Sequence, residues 1–147
     1  MEKITENMGF VMNLWAVNTA ISKTIDLNLG AVHGIGLTEF MVLFHLNNAH
    51  KKTMRRIDLA KSIGLTASGV TRLVTPMVKI GLVQKELNPR DARVSSVKIA
   101  PAGGRVLKEA SASFRSSSQE LLQDIDHKKL VHALDVFKLL GRDIFVE

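Results

Sequence analysis

The chain has 147 residues, of which 46% are hydrophobic and 23% charged, a length and composition that suit one folded domain. It contains no cysteine, which excludes disulfides, thiolate metal sites and thiol redox switches. No apolar run approaches the roughly 20 residues needed to cross a membrane, and the first residues lack the features of a signal peptide, so we expect a cytoplasmic protein.

Positive charge is concentrated in the middle of the sequence. Residues 51–93 contain ten of the 20 basic residues and three of the 14 acidic ones, a net charge of +7 (ten minus three), which leaves −1 for the rest. Such an excess predicts a polyanionic partner, although charge alone is equally consistent with a solvated basic surface. All seven aromatic residues lie outside this segment, which favours duplex DNA, since RNA and single strands stack on aromatic side chains.

The N-terminal segment is predicted to form one long helix with two apolar stripes. One stripe contains Ile4, Met8, Val11, Trp15 and Ile25, and the other contains Phe10, Leu14, Val17 and Ile21. A helix with two apolar faces needs two surfaces to pack against, so one face is expected to require a partner. The three glycines of "LGAVHGIG" are predicted to end this helix.

Two short helices are predicted next. Thr38 is the expected N-cap of the first, "EFMVLFHLNNA", and "AHKKT" after it is expected to be a polar turn. The second, "RRIDLAKSI", is expected to end at Gly64. Its inward-facing residues are predicted to be Ile57, Leu59, Ala60 and Ile63.

A further helix is predicted in "TASGVTRLVTPMVKIG", with Thr66 or Ser68 as its N-cap and Gly81 just beyond its end. Its apolar stripe is Val70, Leu73, Val74 and Met77, and its opposite face carries Ala67, Ser68, Thr71, Arg72 and Thr75. Two short helices joined by a glycine-containing turn are typical of a helix-turn-helix. Small side chains on the exposed face let the second helix approach DNA closely.

Two β-like runs, "LVQKEL" and "VSSVKI", flank residues 88–93 and predict a hairpin with a longer-than-minimal loop. A helix-turn-helix followed by a basic hairpin is typical of a winged helix. Pro101 then begins a long helix with a serine-rich middle, and Asp126 is the expected N-cap of a last helix. In that last helix Leu130, Leu134, Phe137 and Ile144 recur at helical spacing.

This order of elements resembles the MarR family of bacterial transcription regulators over essentially the whole chain. The helix-turn-helix run of that family resembles "IDLAKSIGLTASGVTRLVTPMVKIGLV". Its wing signature, an Asp-x-Arg followed by a strand and a Leu-Thr-x-x-Gly turn, is matched at Asp91, Arg93 and Gly103. Ala100 replaces the threonine, which removes an expected N-cap worth about 1 kcal/mol. Pro76 lies inside the second helix of the motif, where it removes one backbone hydrogen bond and is expected to bend the helix.

The resemblance implies a mainly α fold with a small β-hairpin wing, assembled as an obligate homodimer. It implies a single domain, residues 1–147, with dimerisation helices at 1–30 and 104–147 and a winged helix-turn-helix lobe at 37–101. The terminal helices of two chains would interlock, and the two lobes would straddle a palindromic site.

The second helix of the motif is predicted to enter the major groove, where base pairs can be distinguished. Arg90 and Arg93 are alternative cations for the minor groove. The resemblance implies that Asp91 orients one of them, with an exposed ion pair in a simple turn as the alternative. Phosphate contact and simple solvation stay open for a further set of residues: Arg55, Arg56, Lys61, Thr75 and Lys79. The predicted DNA-binding residues are Arg55, Arg56, Lys61, Thr66, Ser68, Thr71, Arg72, Thr75, Lys79, Arg90, Asp91 and Arg93.

The resemblance also implies a small aromatic or anionic effector between the dimerisation helices and the lobe, which changes the distance between the two recognition helices. Candidate pocket residues are Trp15, His33, Phe40 and Phe44, for which core packing is the alternative role. We predict no cofactor and no enzymatic activity, since no Gly-rich phosphate loop, HExxH or nucleophile motif occurs. No metal site is predicted, although a zinc site assembled from distant histidines stays open.

The sequence therefore predicts a dimeric, sequence-specific DNA-binding repressor of transcription. The alternative is a winged-helix architectural or protein-interaction module without sequence-specific recognition. Affinity for specific and scrambled duplexes at several salt concentrations distinguishes the two.

Overall fold

The computed structural model describes residues 1–141, without the side chains of residues 88 and 91–94. In this part of the chain the elements are, in order, helices α1 (Glu6–His33) and α2 (Leu37–Asn48), a short 3-10 helix (His50–Lys52), strand β1 (Thr53–Arg55), helices α3 (Arg56–Ile63) and α4 (Ala67–Lys79), strands β2 (Val83–Asn88) and β3 (Asp91–Ile99), and helices α5 (Pro101–Leu121) and α6 (His127–Leu139). The predicted fold class, mainly α with a β-hairpin wing, is confirmed.

The chain divides into two compact units, residues 1–114 and residues 115–147. The first unit has one apolar core, to which α1 to α5 and the strands β2 and β3 all contribute. Among the described residues, none of those fully buried is polar or charged. Burial of apolar surface in this core is therefore the main contribution to the stability of the first unit.

Helix α1 is longer than predicted. Thr5 caps it by accepting the amide hydrogen of Met8 at 3.3 Å, and Gly34 ends it with φ 68°. Gly30, predicted to help end the helix, lies inside it. That expectation is wrong because one internal glycine costs a helix only about 1 kcal/mol, and burial of the neighbouring Leu29 in the core offsets this cost.

Most of α1 has its apolar residues exposed in the single chain. Only Ile25 and Leu29, near the C-terminal end of the helix, are buried. The remaining members of both predicted stripes are exposed: Ile4, Met8, Phe10, Val11, Leu14, Trp15, Val17 and Ile21. The helix therefore joins the core of its own unit through its last turns alone.

Helix α2 is capped by a residue that lies far away in the sequence. The prediction of Thr38 as N-cap is wrong, because Gly36 occupies that position with extended backbone. A carboxylate oxygen of Asp26, from α1, accepts the amide hydrogen of Leu37, and Glu39 accepts that of Gly36 at 3.4 Å. Carboxylates stabilise a helix N-terminus because its unpaired amides carry partial positive charge.

Helices α3 and α4 form the predicted helix-turn-helix. Gly64 ends α3 with φ 69°, and Thr66 begins α4 by accepting the amide hydrogen of Gly69 at 3.1 Å. Of the two predicted N-caps, Thr66 is therefore the one used. Gly81 follows α4 with φ 78°, and the helix continues past Pro76.

The predicted inward faces of α3 and α4 are confirmed except at one position. Ile57 is 54% exposed, so its predicted burial is wrong. It precedes the buried Leu59 by two residues, which places it about 200° further around the helix. The buried residues are Leu59, Ala60, Val70, Val74 and Met77, and the partly buried ones packed against them are Ile63 and Leu73.

The strands form an antiparallel sheet in the order β1-β3-β2. Strand β1 lies where the sequence predicted the end of a polar turn, with Met54 opposite Val97 of β3. Three residues are too few to show an alternating pattern, so this strand exists because the edge of β3 is available for pairing.

The β2–β3 hairpin is confirmed, but its loop is shorter than predicted. The strands extend to Asn88 and from Asp91, which leaves Pro89 and Arg90 as the turn. The pairing shifts register between Leu87 and Asn88. The wing is thus a hairpin with a narrow tip and an irregularity just before it.

Helix α5 begins at Pro101, as predicted, and its serine-rich middle is helical. Its first turn packs tightly against Leu82, whose carbonyl accepts the amide hydrogen of Ala100 at 3.0 Å. A Cβ atom on Gly103 would overlap that same carbonyl oxygen, whereas one on Gly104 would meet nothing within 4 Å. Glycine at position 103 is therefore required by the close approach of two backbones.

The second unit contains the end of α5 and helix α6. Asp126 caps α6 as predicted, accepting the amide hydrogens of Lys128 and Lys129 at 2.7 and 3.3 Å. Ile144 lies outside the described residues. The other predicted apolar residues of α6 are half-buried or exposed: Leu130, Leu134 and Phe137.

No described helix has by itself both the length and the apolar character of a membrane span. Helices α1 and α2 satisfy those criteria only when taken together, across a bend of 77°.

Candidate nucleic-acid interface

Helix α4 has one buried face and one exposed face. The buried face packs on the core of the first unit. On the opposite face Ser68, Thr71 and Arg72 are exposed and Thr75 is half-buried. This face therefore presents mainly short side chains together with one guanidinium, that of Arg72.

The hydroxyl groups on this face are hydrogen-bonded within the helix. The Oγ1 of Thr66 lies 3.2 Å from the Oγ of Ser68. The Oγ1 of Thr71 donates to the carbonyl of Ala67 at 3.2 Å, and the Oγ1 of Thr75 donates to the carbonyl of Thr71 at 2.7 Å. Bonds of this kind fix the rotamers of helical threonines.

Arg55 and Asp58 form an ion pair on the exposed side of α3. The Nε of Arg55 lies 2.7 Å from one carboxylate oxygen and its Nη2 lies 3.2 Å from the other. The hydrogen bond from Arg55 lowers the pKa of Asp58, and the same bond raises the pKa of Arg55. Exposed pairs add little to folding stability, but this one reduces the positive potential near Arg55.

Arg56 connects the two helices of the motif. Its Nη1 donates a hydrogen bond to the Oγ1 of Thr71 at 2.7 Å. Its side chain is half-buried, and its Nε has no hydrogen-bond partner among the described residues. The sequence predicted Arg56 as a phosphate contact and gave no sign of this bond, because the two residues lie 15 positions apart.

Other positive charges surround the helix-turn-helix. Lys61, Arg72 and Lys79 are exposed. Lys51 and Lys52, which were not among the predicted site residues, are also exposed and have φ values of 53° and 57°. Non-glycine residues rarely adopt this left-handed backbone, and the ordinary polar composition of "AHKKT" does not indicate it.

The structure describes some of the predicted DNA-binding residues of the wing. Arg90 is exposed at the turn, and Asp91 begins β3 with its backbone paired to Asn88. The side chains of Asp91 and Arg93 lie outside the described residues. The orienting role of Asp91, and the choice between the two arginines, therefore stay predictions.

The predicted effector residues differ widely in burial. Phe40 lies in the core with its ring stacked on Phe114 at a centroid distance of 4.9 Å, and Phe44 is half-buried with its ring edge-on to His45 at 5.6 Å. Trp15 is 71% exposed. Packing in the core thus accounts for Phe40, whereas most of Trp15 is left uncovered by the residues that the structure describes.

Two histidines of the first unit occupy contrasting environments. The Nε2 of His33 lies 2.7 Å from the Oγ of Ser113, which connects the end of α1 to α5. The Nε2 of His45 is buried and has no partner among the described residues, and this desolvation lowers the pKa of His45. In residues 1–141 no three His, Asp or Glu side chains are grouped closely enough to hold a metal ion.

Known transcription regulators are similar to this chain in sequence and fold. A profile of the MarR family matches residues 35–95. The HTH-type transcriptional regulator PrsX of Escherichia coli is 25% identical over 130 residues, which cover 81% of this chain and 78% of that protein.

Two solved structures extend the likeness to nearly the full length. The transcriptional regulator BldR from Sulfolobus solfataricus superimposes with a TM-score of 0.82 at 26% identity, covering 97% of this chain and 100% of that one. A mutant MarR from E. coli complexed with operator DNA superimposes with a TM-score of 0.83 at 19% identity, covering 95% and 99%. Residues 35–95 thus match the MarR family of transcription regulators, and the chain has the winged helix-turn-helix fold of the solved relatives.

Proposed function

We propose that this protein is a sequence-specific repressor of transcription that binds a palindromic operator in double-stranded DNA as a homodimer, in the cytoplasm. The observation that carries the proposal is the exposed face of α4. It projects Ser68, Thr71 and Arg72 from a helix whose other face is buried in the core. An exposed helix face with short side chains and one arginine fits the major groove, where arginine can bond guanine bidentately.

The basic residues around α4 support the same function. Phosphate contacts fix the position of a protein on the duplex without reading sequence. Lys61 and Lys79 are exposed on α3 and α4, and Arg90 is exposed at the tip of the wing. These positions suit phosphate or minor-groove contacts on either side of the recognition helix. The E. coli relative complexed with operator DNA supports the choice of duplex DNA.

The homodimer is supported by the exposed apolar residues of α1. Contiguous apolar surface on a monomer is uncommon beyond a few hundred Å² and usually marks an interaction site. In α1 it covers most of the helix length, including Val11, Trp15 and Val17. A second copy of this chain provides a matching apolar surface, as expected for a two-fold interface. The proposal keeps the dimerisation helices at 1–30 and 104–147 and the lobe at 37–101 that the resemblance implies.

Release by a small aromatic or anionic effector is the finer part of the proposal. Trp15 is the only tryptophan in the sequence, so its fluorescence reports directly on this region. A panel of aromatic carboxylates should change that fluorescence and weaken operator binding over the same concentration range. A compound that changes fluorescence without changing DNA affinity counts against the regulatory role.

The decisive experiment compares two duplexes. A duplex enriched from a random pool and a scrambled version of it should be titrated at several salt concentrations. A sequence reader keeps a specificity ratio of about 10³ or more, whereas an architectural module binds both duplexes equally with the same salt slope. Equal affinities at all salt concentrations would contradict the proposed function.

A further inference from the structure

The hydrogen bonds of Thr71 restrict what this residue offers to DNA. A hydroxyl group has one proton to donate. That of Thr71 is directed to the carbonyl of Ala67 at 3.2 Å, and the oxygen accepts a hydrogen bond from Arg56 at 2.7 Å. Thr71 therefore has no proton left for the acceptor atoms of a base.

The methyl group of Thr71 is the part of this side chain that stays available. Residue 71 is exposed, and its Cβ carries a hydroxyl, a methyl and a hydrogen. Because the hydroxyl is bonded to the backbone and to Arg56, the exposed apolar surface is that of the methyl. Ala67, one helical turn earlier on the same face, is exposed as well. In the major groove the matching apolar group is the C5-methyl of thymine.

Arg56 is the group that maintains this arrangement. Its guanidinium reaches from α3 to α4, and its side chain is half-buried, in contrast to the exposed Lys61, Arg72 and Lys79. A cation bonded to the Thr71 oxygen favours the rotamer that leaves that oxygen facing α3. A side chain held in this way is also less able to extend towards a phosphate.

We propose that Thr71 reads a thymine through its methyl group, and that Arg56 is a positioning residue for Thr71. This inference rests on the proposed function, and it adds one base preference to that function. It also reassigns Arg56 from phosphate contact to the support of sequence reading.

The test uses the full-length protein and the duplex enriched from a random pool. Each thymine is replaced in turn by deoxyuridine, which removes only the C5-methyl group. Burial of one methyl group is worth about 0.8 kcal/mol. Replacing the contacted thymine of a half-site should therefore lower the affinity of the protein for the duplex roughly fourfold. If the affinity is unchanged at every thymine, the inference is wrong even though the sequence preference of the protein stands.

Two substitutions of Thr71 assign the effect. Thr71→Ser keeps the hydroxyl and removes the methyl, so it should bind the thymine and deoxyuridine duplexes equally. Thr71→Val keeps a methyl and removes the hydroxyl, and it should retain the preference for thymine. If Thr71→Ser discriminates as strongly as the unaltered protein, another residue contacts the thymine and the inference fails.

Arg56→Met separates positioning from phosphate contact. The inference predicts that this variant loses preference for thymine over deoxyuridine while its salt slope stays unchanged. The matched variant Lys79→Met, at an exposed position, is expected to reduce the slope by about 0.9 for each phosphate that it no longer neutralises. A reduced slope for Arg56→Met together with an intact preference would return Arg56 to the role of phosphate contact. If no duplex is enriched from the pool, the proposed function and this inference fail together.

Discussion

The exposed faces of α4 and α1 belong to the same compact unit but have opposite compositions. In α4 the apolar residues are buried in the core, and the exposed face holds hydroxyls and an arginine. In α1 the exposed surface is largely apolar, from Met8 to Ile21. The core of the winged lobe is therefore buried within one chain, whereas the apolar surface of α1 is exposed and would be covered by a second copy in the proposed homodimer. The comparison distinguishes a surface suited to DNA from one suited to protein.

The largest expected effect is a loss of folding stability in the winged lobe. Gly103→Ala places a Cβ atom against the carbonyl oxygen of Leu82, and neither backbone can move without displacing α5 or β2. Overpacking of this kind usually costs about 1–3 kcal/mol, and more against a rigid backbone. Chemical denaturation should reveal a loss at the upper end of that range or beyond.

The neighbouring glycine provides the control. Gly104→Ala meets open space in the same helix and should stabilise the protein by about 1 kcal/mol, because alanine favours helices over glycine. Equal effects of the two variants would mean that the contact with Leu82 is not tight.

The second prediction tests whether the exposed apolar surface of α1 forms a dimer interface. Trp15→Glu introduces a charge into the exposed apolar surface that we assign to the dimer, where an unpaired buried charge is costly. Sedimentation velocity should show dissociation to monomers at micromolar concentrations, accompanied by loss of operator binding. Lys23→Glu, at an exposed position of the same helix, should remain dimeric. A dimeric Trp15→Glu would place the interface elsewhere.

The third prediction concerns the DNA side. Arg72→Ala and Arg93→Ala should each weaken binding to the enriched duplex by roughly 1–3 kcal/mol. Arg72→Ala is expected to relax specificity at one base pair, whereas Arg93→Ala should weaken binding most strongly where the minor groove is narrow. Lys129→Ala, an exposed residue of α6, should have little effect. Unchanged affinity in both arginine variants would contradict the assigned groove contacts.

The smallest expected effect is a pH dependence within the lobe. Burial lowers the pKa of His45 from its ordinary value of 6.5, so the folded protein disfavours the charged form more than the unfolded chain does. Stability should thus be complete above pH 6.5 and should decrease as the pH falls towards the folded-state pKa. In His45→Gln this part of the pH dependence of unfolding should disappear, whereas in His50→Gln, at an exposed position, it should remain. A pH profile of His45→Gln identical to that of the unaltered protein would assign the dependence to other groups.

Local patterns were sufficient for the order of helices and for the cap at Asp126, because helix periodicity and capping depend on residues within one or two turns. For α4 they left Thr66 and Ser68 as alternative caps. They were insufficient wherever a helix cap or a strand depends on a residue that is distant in the sequence. Asp26 caps α2 from eleven residues away, and β1 forms only because β3 offers an edge. Neither interaction leaves a signal in its own segment.

In the candidate site, too, the sequence predicted local features but not the contacts between helices. The type and order of residues on α4 indicated a DNA-reading helix, and in the structure Ser68, Thr71 and Arg72 are exposed whereas Thr75 is half-buried. The bond between Arg56 and Thr71 depends on how α3 crosses α4, which no spacing rule specifies. A charge count treats Arg55, Arg56 and Lys61 as equals, whereas tertiary contacts give the first two different partners.

The carbonyl of Leu82 connects the start of α5 to the segment that leads into the wing. This oxygen accepts the amide hydrogen of Ala100 and touches the space beside Gly103, while the amide of Leu82 itself donates to Met77 at the end of α4. A tilt of α5 at its first turn therefore pushes on the residue that leads from α4 into β2. We therefore expect a displacement at the first turn of α5 to move the end of α4 and the start of β2 together.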